Sequence, residues 1–247
     1  MREPPIPNGR DLCLFLDIDG TLLDYAATPD DVQVDDQLRA LLRDLERTCD
    51  GALALVSGRA IPDIDDLFEP LYLPAAGVHG CERRDGLGYW HRQVFATPAF
   101  IECRERLIDE VAHLGGILVE DKSCAVALHY RQARELEPGL RAIVARFAPS
   151  VPASHAFFDG DHVIELKPKE PNKGLAIASF MEEPPFSGCL PIFVGDDLTD
   201  RDGFEVVKAR GGIAVAVGNN VESDWHLPTP GAVRDWLTRL TTSRHRA

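Results

Sequence analysis

The feature that most constrains the fold is a set of short apolar runs that each end abruptly in polar residues. The runs and the residues that end them are 12–16 before Asp17, 52–56 before Ser57 and 191–194 before Gly195. A continuous apolar run of this length is typical of a central parallel strand that is buried on both faces. The segments between the runs have apolar residues at helical spacing. This alternation of strands and helices predicts an open α/β sheet.

The predicted elements divide the chain into a discontinuous core and an insert. Segments 1–97 and 168–247 predict a doubly wound, mainly parallel, Rossmann-like core. Its other elements are predicted at 35–49, 62–68, 71–75, 172–181, 202–209, 212–217 and 232–240. Segment 98–167 has the order helix, strand, strand, helix, strand, strand, with a turn at Asp159-Gly160. This order predicts an α+β cap domain inserted into the core.

Composition and charge restrict the possible partners. Hydrophobic residues make up 45% of the 247 residues, which is enough for a full core. The formal net charge of -14 repels nucleic-acid backbones and anionic membranes, so neither partner is expected. An anionic small molecule would need local cations or a metal to bind.

Cysteine usage and the N-terminus favour a cytoplasmic location. The six cysteines include no Cys-x-x-Cys pair and indicate reduced thiols rather than a disulfide framework. The N-terminal residues are polar and proline-rich, without the apolar stretch of a signal peptide. No apolar run approaches the length that a bilayer span needs.

Carboxylates follow two of the predicted strands. Ligands of open α/β sheets bind beyond the carboxyl ends of the strands, so Asp17 and Asp196 should meet at one site. Such carboxylates repel one another unless a cation lies among them, and Mg²⁺ prefers oxygen ligands. Asp17 and Asp19 point to the same side of a strand, so one can act as nucleophile and the other as general acid/base. A calcium loop is the alternative, but Leu22 and Leu23 supply none of its ligands.

Three further residues near the strand ends have more than one interpretation. Lys173 at a helix start opposes the helix dipole, which favours a Lys that reaches an anion, although a solvated surface Lys is the alternative. Arg59 is either an orienting residue or a surface charge at a helix start. His79 lies beside apolar neighbours, where a His is more often structural than catalytic, and the other interpretation is that it is a neighbour of the site.

These motifs resemble those of the haloacid dehalogenase superfamily of phosphohydrolases. Asp17-Ile-Asp-Gly-Thr21, Ser57, Lys173 and Gly195-Asp-Asp197 with Asp200 match its motifs in order. The chain is also similar to bacterial-type trehalose-6-phosphate phosphatases over roughly 12–240. The stretches that carry this similarity are Asp50-Gly-Ala-Leu-Ala-Leu-Val-Ser-Gly-Arg59, Ala76-Gly-Val-His-Gly80, Ala127-Leu-His-Tyr-Arg131 and Gly195-Asp-Asp-Leu-Thr-Asp200.

The resemblance implies roles for the core residues. Asp17 would attack phosphorus and form an aspartyl-phosphate, and Asp19 would act as general acid and base. Mg²⁺ would be held by Asp17, the backbone carbonyl of Asp19 and Asp196. Asp197 and Asp200 would hold the waters of the metal. The phosphoryl group would be bound by Gly20, Thr21, Ser57, Gly58 and Lys173.

The resemblance also implies sugar-binding residues in the cap, namely Glu120, Lys122, His129, Arg131 and Glu165. A disaccharide offers many hydroxyls, which carboxylates and a guanidinium suit. From the residues alone, a polar turn is the favoured interpretation of 120–122, and Glu165 could equally be an exposed strand position.

The implied activity is Mg²⁺-dependent hydrolysis of trehalose 6-phosphate, the last step of trehalose biosynthesis. Another sugar phosphate, such as sucrose phosphate or mannosyl-3-phosphoglycerate, is an alternative substrate, and a non-catalytic sugar-phosphate sensor is a further alternative. Any coupling to a trehalose-6-phosphate synthase would be in trans. Relatives usually carry Glu where this chain has Arg201, which puts the surroundings of the metal in doubt.

Overall fold

The computed structural model describes residues 2–7, 11–26, 31–92, 95–160 and 162–244. The chain forms two compact units, which we call the core unit, Met1–His91 with Asn172–Ala247, and the inserted unit, Arg92–Pro171. The insert predicted at 98–167 falls within the inserted unit. No helix of the described ranges has the length and apolar character required to cross a membrane.

The chain alternates strands and helices. The strands are β1 (Leu12–Leu16), β2 (Leu53–Val56), β3 (Ala75–Gly77), β4 (Glu82–Arg84), β5 (Trp90–Arg92), β6 (Leu118–Asp121), β7 (Val126–His129), β8 (His155–Gly160), β9 (Val163–Pro168), β10 (Leu190–Gly195), β11 (Ile213–Val217) and β12 (Trp225–Leu227). The α-helices are α1 (Asp36–Thr48), α2 (Ile61–Phe68), α3 (Pro98–Val111), α4 (Glu137–Phe147), α5 (Lys173–Met181), α6 (Arg201–Ala209) and α7 (Pro230–Arg244).

The core unit is built on an eight-stranded sheet with the order β12-β11-β10-β1-β2-β3-β4-β5. The six strands from β12 to β3 are parallel, and β4 is antiparallel to β3. The chain winds from β1 towards β3 on one side and from β10 towards β12 on the other. The direction of winding therefore reverses between β1 and β10, and such a switch point is where open α/β sheets bind ligands.

Burial explains why the central strands form. Every residue of β1 and β2 is buried, as expected of strands covered on both faces. Helix α1 buries the stripe Leu38, Leu41, Leu42 and Leu45, and Asp35 caps it by accepting a hydrogen bond from Leu38 N at 2.7 Å. All six cysteines are free thiols, as the sequence predicts.

The inserted unit is an α+β unit. Its sheet is antiparallel with the order β6-β7-β9-β8. Its apolar core includes Phe100 and Leu107 from α3, Leu140 from α4, Leu128 from β7 and Leu166 from β9. The fold class predicted from the sequence, a doubly wound core with an α+β insert, is therefore confirmed.

Two local predictions are wrong. The strand expected at 71–75 lies at Ala75–Gly77, because parallel pairing with β2 begins only where Leu55 meets Ala75, after Pro74. The turn expected at Asp159-Gly160 is part of β8, where Gly160 pairs with Val163, so the strands of this hairpin continue past it.

Three strands were not predicted, namely β4, β5 and β12. Each has only three residues, and the first two read Glu-Arg-Arg and Trp-His-Arg. Neither an apolar run nor an alternating pattern can be recognised in so short a segment. Strands β5 and β12 lie at the two ends of the sheet order, where polar residues are tolerated.

Candidate active site

The carboxyl ends of β1, β2 and β10 bring the predicted site residues to one edge of the core sheet. Leu16 pairs with Val194 of β10 and with Leu55 of β2, so the residues after these pairs are neighbours. Asp17 directly follows β1, and its backbone N–H donates to Val194 O at 3.0 Å. The predicted convergence of the strand ends is confirmed.

Three buried carboxylates form what we call the acidic group, namely Asp17, Asp196 and Asp200. One oxygen of each lies within 4.8 Å of the others. Burial raises the pKa of Asp17 well above its ordinary value, and Asp200 and Asp196 add to this effect while Lys173 opposes it. Burial and Asp200 likewise raise the pKa of Asp196 to about 6. An excess of buried carboxylate oxygens fits a hard divalent cation such as Mg²⁺.

Lys173 is a buried cation between two of these carboxylates. It is the first residue of α5, and Asn172 caps this helix by accepting from Leu175 N at 2.8 Å. Its Nζ donates to Asp17 Oδ1 at 2.7 Å and to Asp200 Oδ1 at 2.6 Å. Burial alone would lower the pKa of Lys173, but the two carboxylates outweigh burial and raise it. The surface interpretation of Lys173 is therefore wrong.

Asp200 holds the loop after β10. Its Oδ2 accepts hydrogen bonds from the backbone N–H groups of Asp196 and Asp197, both at 2.9 Å. A Cβ on Gly195 would lie 2.4 Å from Asp200 Cγ, so a larger residue at 195 would displace the carboxylate. Asp197 caps the short turn Leu198–Asp200 through a hydrogen bond from Leu198 N at 2.6 Å. Asp200 thus fixes the backbone that carries Asp196.

Arg59 binds both carboxylate oxygens of Asp19. Its Nε lies 2.7 Å from Asp19 Oδ2, and its Nη2 lies 2.8 Å from Asp19 Oδ1. The backbone of Arg59 is itself held, because its carbonyl accepts from Val78 N at 2.8 Å. A bidentate pair of this kind fixes the plane of the carboxylate. Of the two interpretations of Arg59, the structure supports the orienting residue.

Thr21 links two members of the acidic group, and the backbone N–H groups of Gly20 and Thr21 are hydrogen-bonded within the same turn. Thr21 Oγ1 lies 3.3 Å from Asp17 Oδ2 and 3.1 Å from Asp196 Oδ1. The N–H of Gly20 donates to Leu23 O at 2.7 Å, and that of Thr21 donates to Ile18 O at 3.2 Å. Both N–H groups already have acceptors within the turn. The phosphoryl contacts predicted for Gly20 and Thr21 would need these hydrogen bonds to open.

The loop after β2 packs against a strained turn. Val78 and His79 have φ values of 47° and 55°, which are unusual for residues with a side chain. His79 N donates to Ser57 O at 3.0 Å, and a Cβ on Gly58 would lie 2.8 Å from the imidazole ring. His79 is therefore a direct neighbour of Gly58, and the turn supports the loop that contains Ser57.

The inserted unit gathers charged side chains on one face of its sheet. Lys122 Nζ lies 3.1 Å from Glu165 Oε1 and 3.5 Å from Glu120 Oε2. His129 Nε2 lies 2.9 Å from the same Glu120 oxygen. Burial favours the neutral form of Glu120, but His129 and Lys122 outweigh burial and lower its pKa. We call these four residues the cap group.

The strand register explains the cap group and corrects two interpretations. Glu120 pairs with Ala127, and Ala127 pairs with Glu165, so three neighbouring strands bring the carboxylates together. Glu165 is only 7% exposed, so the exposed-strand alternative is wrong. Residues 120–121 belong to β6, so the polar-turn alternative is wrong for them, whereas Lys122 begins the turn that leads to β7. Arg131 follows β7 and is half-buried.

Lys167 is a neighbour of the cap group that was not predicted from the sequence. Its Nζ lies 3.4 Å from Glu165 Oε2. Alternation along β9 places residues 165 and 167 on the same face of the strand, and this spacing was the available signal. Lys167 therefore shares Glu165 with Lys122.

A second set of possible metal ligands lies elsewhere in the core unit, namely Asp85, His91 and Glu183. Arg83 binds both oxygens of Glu183, at 2.7 and 2.9 Å, and His91 Nε2 lies 2.8 Å from Asp85 Oδ2. The ligand atoms thus have partners within the protein, and we assign no metal to this set.

Comparison with known proteins identifies the family. The sequence pattern of the family described as Trehalose-phosphatase matches residues 15–230. The chain belongs to the trehalose-phosphatase family. Trehalose-6-phosphate phosphatase of Escherichia coli K12 is 41% identical over 230 residues, covering 93% of this chain and 86% of that protein. The trehalose-phosphatase chain described here is therefore an enzyme, and its class is phosphatase.

Solved structures agree with this assignment. The crystal structure of a trehalose-6-phosphate phosphatase related protein superposes with a TM-score of 0.79 at 26% identity, covering 95% of this chain and 99% of the other. A phosphatase of the haloalkanoate (HAD) superfamily from Bacteroides thetaiotaomicron has a TM-score of 0.60 at 17% identity, over 96% of this trehalose-phosphatase chain and 98% of the other. The second comparison supports the fold only.

Proposed function

We propose that this trehalose-phosphatase hydrolyses trehalose 6-phosphate to trehalose and phosphate through an aspartyl-phosphate on Asp17. The observation that carries the proposal is the acidic group with Lys173 between Asp17 and Asp200. A buried carboxylate beside a fixed cation is placed to receive a phosphoryl group, because positioning and charge neutralisation are most of what phosphoryl transfer requires.

In the first step, Asp17 attacks phosphorus and the bond from phosphorus to the sugar oxygen breaks. Asp19 gives its proton to the departing sugar oxygen. In the second step, Asp19 takes a proton from a water molecule as that water attacks phosphorus, which releases phosphate and restores Asp17. Arg59 holds both oxygens of Asp19, and each oxygen keeps a second lone pair at which Asp19 can carry the proton it transfers.

Ser57 and Lys173 supply donors for the phosphoryl oxygens in this proposal. Ser57 Oγ accepts a hydrogen bond from Arg59 N at 3.2 Å, which leaves its own hydrogen for a ligand. Gly58 has no side chain between the loop and a ligand. Lys173 would exchange part of its contact with Asp17 for a phosphoryl oxygen as the negative charge moves.

Mg²⁺ would be held by Asp17, Asp196 and the carbonyl of Asp19, with Asp197 and Asp200 beside it. When bound, it supplies positive charge that offsets the phosphoryl oxygens and the acidic group. Arg201, where relatives usually have Glu, begins α6 and is exposed. Since its side chain forms no part of the acidic group, we expect it to leave the proposed ligands in place.

The metal and the substrate can be tested together. We expect phosphate release from trehalose 6-phosphate to exceed that from sucrose 6-phosphate and glucose 6-phosphate, and to stop when a chelator removes Mg²⁺. Faster turnover of another sugar phosphate would keep the mechanism but contradict the substrate. Tight binding of trehalose 6-phosphate without turnover would instead favour the sensor.

We further propose that the cap group selects the sugar. We expect Glu165→Gln to lower kcat/KM for trehalose 6-phosphate by about 10-fold or more, because a charged hydrogen bond to a hydroxyl is worth about 1.5–3 kcal/mol. Turnover of p-nitrophenyl phosphate, which lacks the sugar, should change little. Steady-state kinetics with both substrates measures the difference.

A matched control lies in the same sheet. Asp159→Asn in β8 makes the same change from carboxylate to amide at an exposed side chain, and it should leave both substrates unaffected. Equal losses with both substrates in Glu165→Gln would mean that the cap group does not read the sugar. Supply of the substrate by a trehalose-6-phosphate synthase and a cytoplasmic location stay predictions.

A further inference from the structure

Tyr25 connects the acidic group to the protein surface. Its hydroxyl donates a hydrogen bond to Asp196 Oδ2 at 2.8 Å. Asp196 is 3% exposed, whereas Tyr25 is 42% exposed. A buried carboxylate is therefore held by the side chain of an exposed residue. The sequence gives no signal for this contact, because Tyr25 lies in a short segment without periodicity.

Two hydroxyls hold Asp196, one on each oxygen. Thr21 Oγ1 lies 3.1 Å from Oδ1, and Tyr25 binds Oδ2. Gly20 makes this arrangement possible, since its φ is 81° and a Cβ would lie 2.2 Å from Asp196 Oδ2 and 2.6 Å from Tyr25 Cε2. The carboxylate and the phenol thus pack directly against the backbone of Gly20. The side chain of Asp196 is therefore held by Thr21, by Tyr25 and by this backbone.

The side chains that donate to Asp196 are neutral hydroxyls, whereas Asp17 and Asp200 accept from the charged Lys173. Lys173 forms ion pairs with Asp17 and Asp200. Within the described ranges, no Lys or Arg forms an ion pair with Asp196. Hydroxyl donors fix the orientation of a carboxylate without cancelling its charge. Asp196 is consequently the member of the acidic group whose charge stays available to a cation.

We propose that Tyr25 is a positioning residue for Asp196, whose hydroxyl holds that carboxylate in the orientation in which it binds the divalent cation. The inference rests on the proposed use of Mg²⁺ by this site. Partners that orient a metal ligand typically change metal affinity by about 10- to 100-fold when they are removed. Tyr25 acts through Asp196, so its loss weakens metal binding and leaves Asp17 and Asp19 in place.

Isothermal titration of the full chain with Mg²⁺ measures this directly. We expect Tyr25→Phe, which removes only the hydroxyl, to raise the Kd for Mg²⁺ by about 10-fold. Tyr72→Phe is the matched control, because it also removes only a phenol hydroxyl. Tyr72 is 65% exposed and lies in the same unit, away from the acidic group. Its Kd should equal that of the unsubstituted chain. Thermal unfolding in chelator checks that both variants are folded.

Activity supplies a second readout. At saturating Mg²⁺, turnover by Tyr25→Phe should return to within about twofold of the unsubstituted chain, because excess metal offsets weaker binding. An unchanged Kd in Tyr25→Phe would overturn the inference. Turnover that stays low at saturating Mg²⁺ would overturn it as well, by assigning Tyr25 to the substrate. Absence of Mg²⁺ binding by the unsubstituted chain would overturn both the inference and the proposed cofactor.

Discussion

Replacing Asp17 with Asn abolishes phosphate release and makes the metal-free protein more stable. The amide is not a nucleophile, so we expect turnover to fall by about 10⁴-fold or more. The stability gain follows from the raised pKa of Asp17, since ionising a carboxyl group whose folded-state pKa is raised costs free energy of folding at neutral pH. Lys173 keeps Asp200 as its partner in the variant.

Phosphate assays and thermal unfolding in chelator at pH 7.5 measure the two effects. We expect the Tm of Asp17→Asn in chelator to be higher than that of the unsubstituted chain. Asp11→Asn, an exposed substitution just before β1, should change neither quantity. If Asp17→Asn kept more than about 1% of the turnover of Asp11→Asn, Asp17 would not be the nucleophile.

Replacing Lys173 with Met has the opposite effect on stability and a smaller, though still large, effect on turnover. The substitution leaves the buried carboxylates of the acidic group without the cation that contacts two of them. Removing one partner of a buried ion pair typically costs about 3–5 kcal/mol. Loss of one donor to the transferred group typically costs about 10²- to 10³-fold in kcat.

Urea unfolding with and without Mg²⁺ separates charge from packing in this variant. In chelator we expect a large loss of stability, and we expect Mg²⁺ to restore more stability to Lys173→Met than to the unsubstituted chain, because the metal replaces missing positive charge. Lys208→Met on the surface of α6 is the control and should be nearly neutral. A loss no larger than that of Lys208→Met would show that Lys173 is not needed to offset the acidic group.

The core of the site could be predicted because strand ends are visible in sequence. The apolar runs of β1, β2 and β10 predict buried parallel strands, and parallel strands necessarily bring their carboxyl ends to one edge. Asp17, Ser57 and Asp196 were located by this geometry alone. The cap group depended on the family resemblance, because its residues meet only through the register of β6, β7 and β9.

The partners of the orienting side chains could not be predicted in this way, although Arg59 was a candidate orienting residue. Arg59 on Asp19 and Tyr25 on Asp196 each join side chains that are distant in sequence, and neither position is periodic. Short end strands such as β5 also escaped prediction, because three residues are too few to carry a pattern. What the sequence predicts well is the placement of backbone, and what it misses is the pairing of long polar side chains.

The position of β1 between β2 and β10 has a consequence for synthesis on the ribosome. Strand β1 is made before β2 and can pair with it as soon as β2 emerges, but its other edge has no partner until β10 is made, after the whole inserted unit. During that interval an apolar strand edge is open to wrong pairing. Early folding of the inserted unit, which completes its own sheet, shortens the free chain that separates β1 from its last partner.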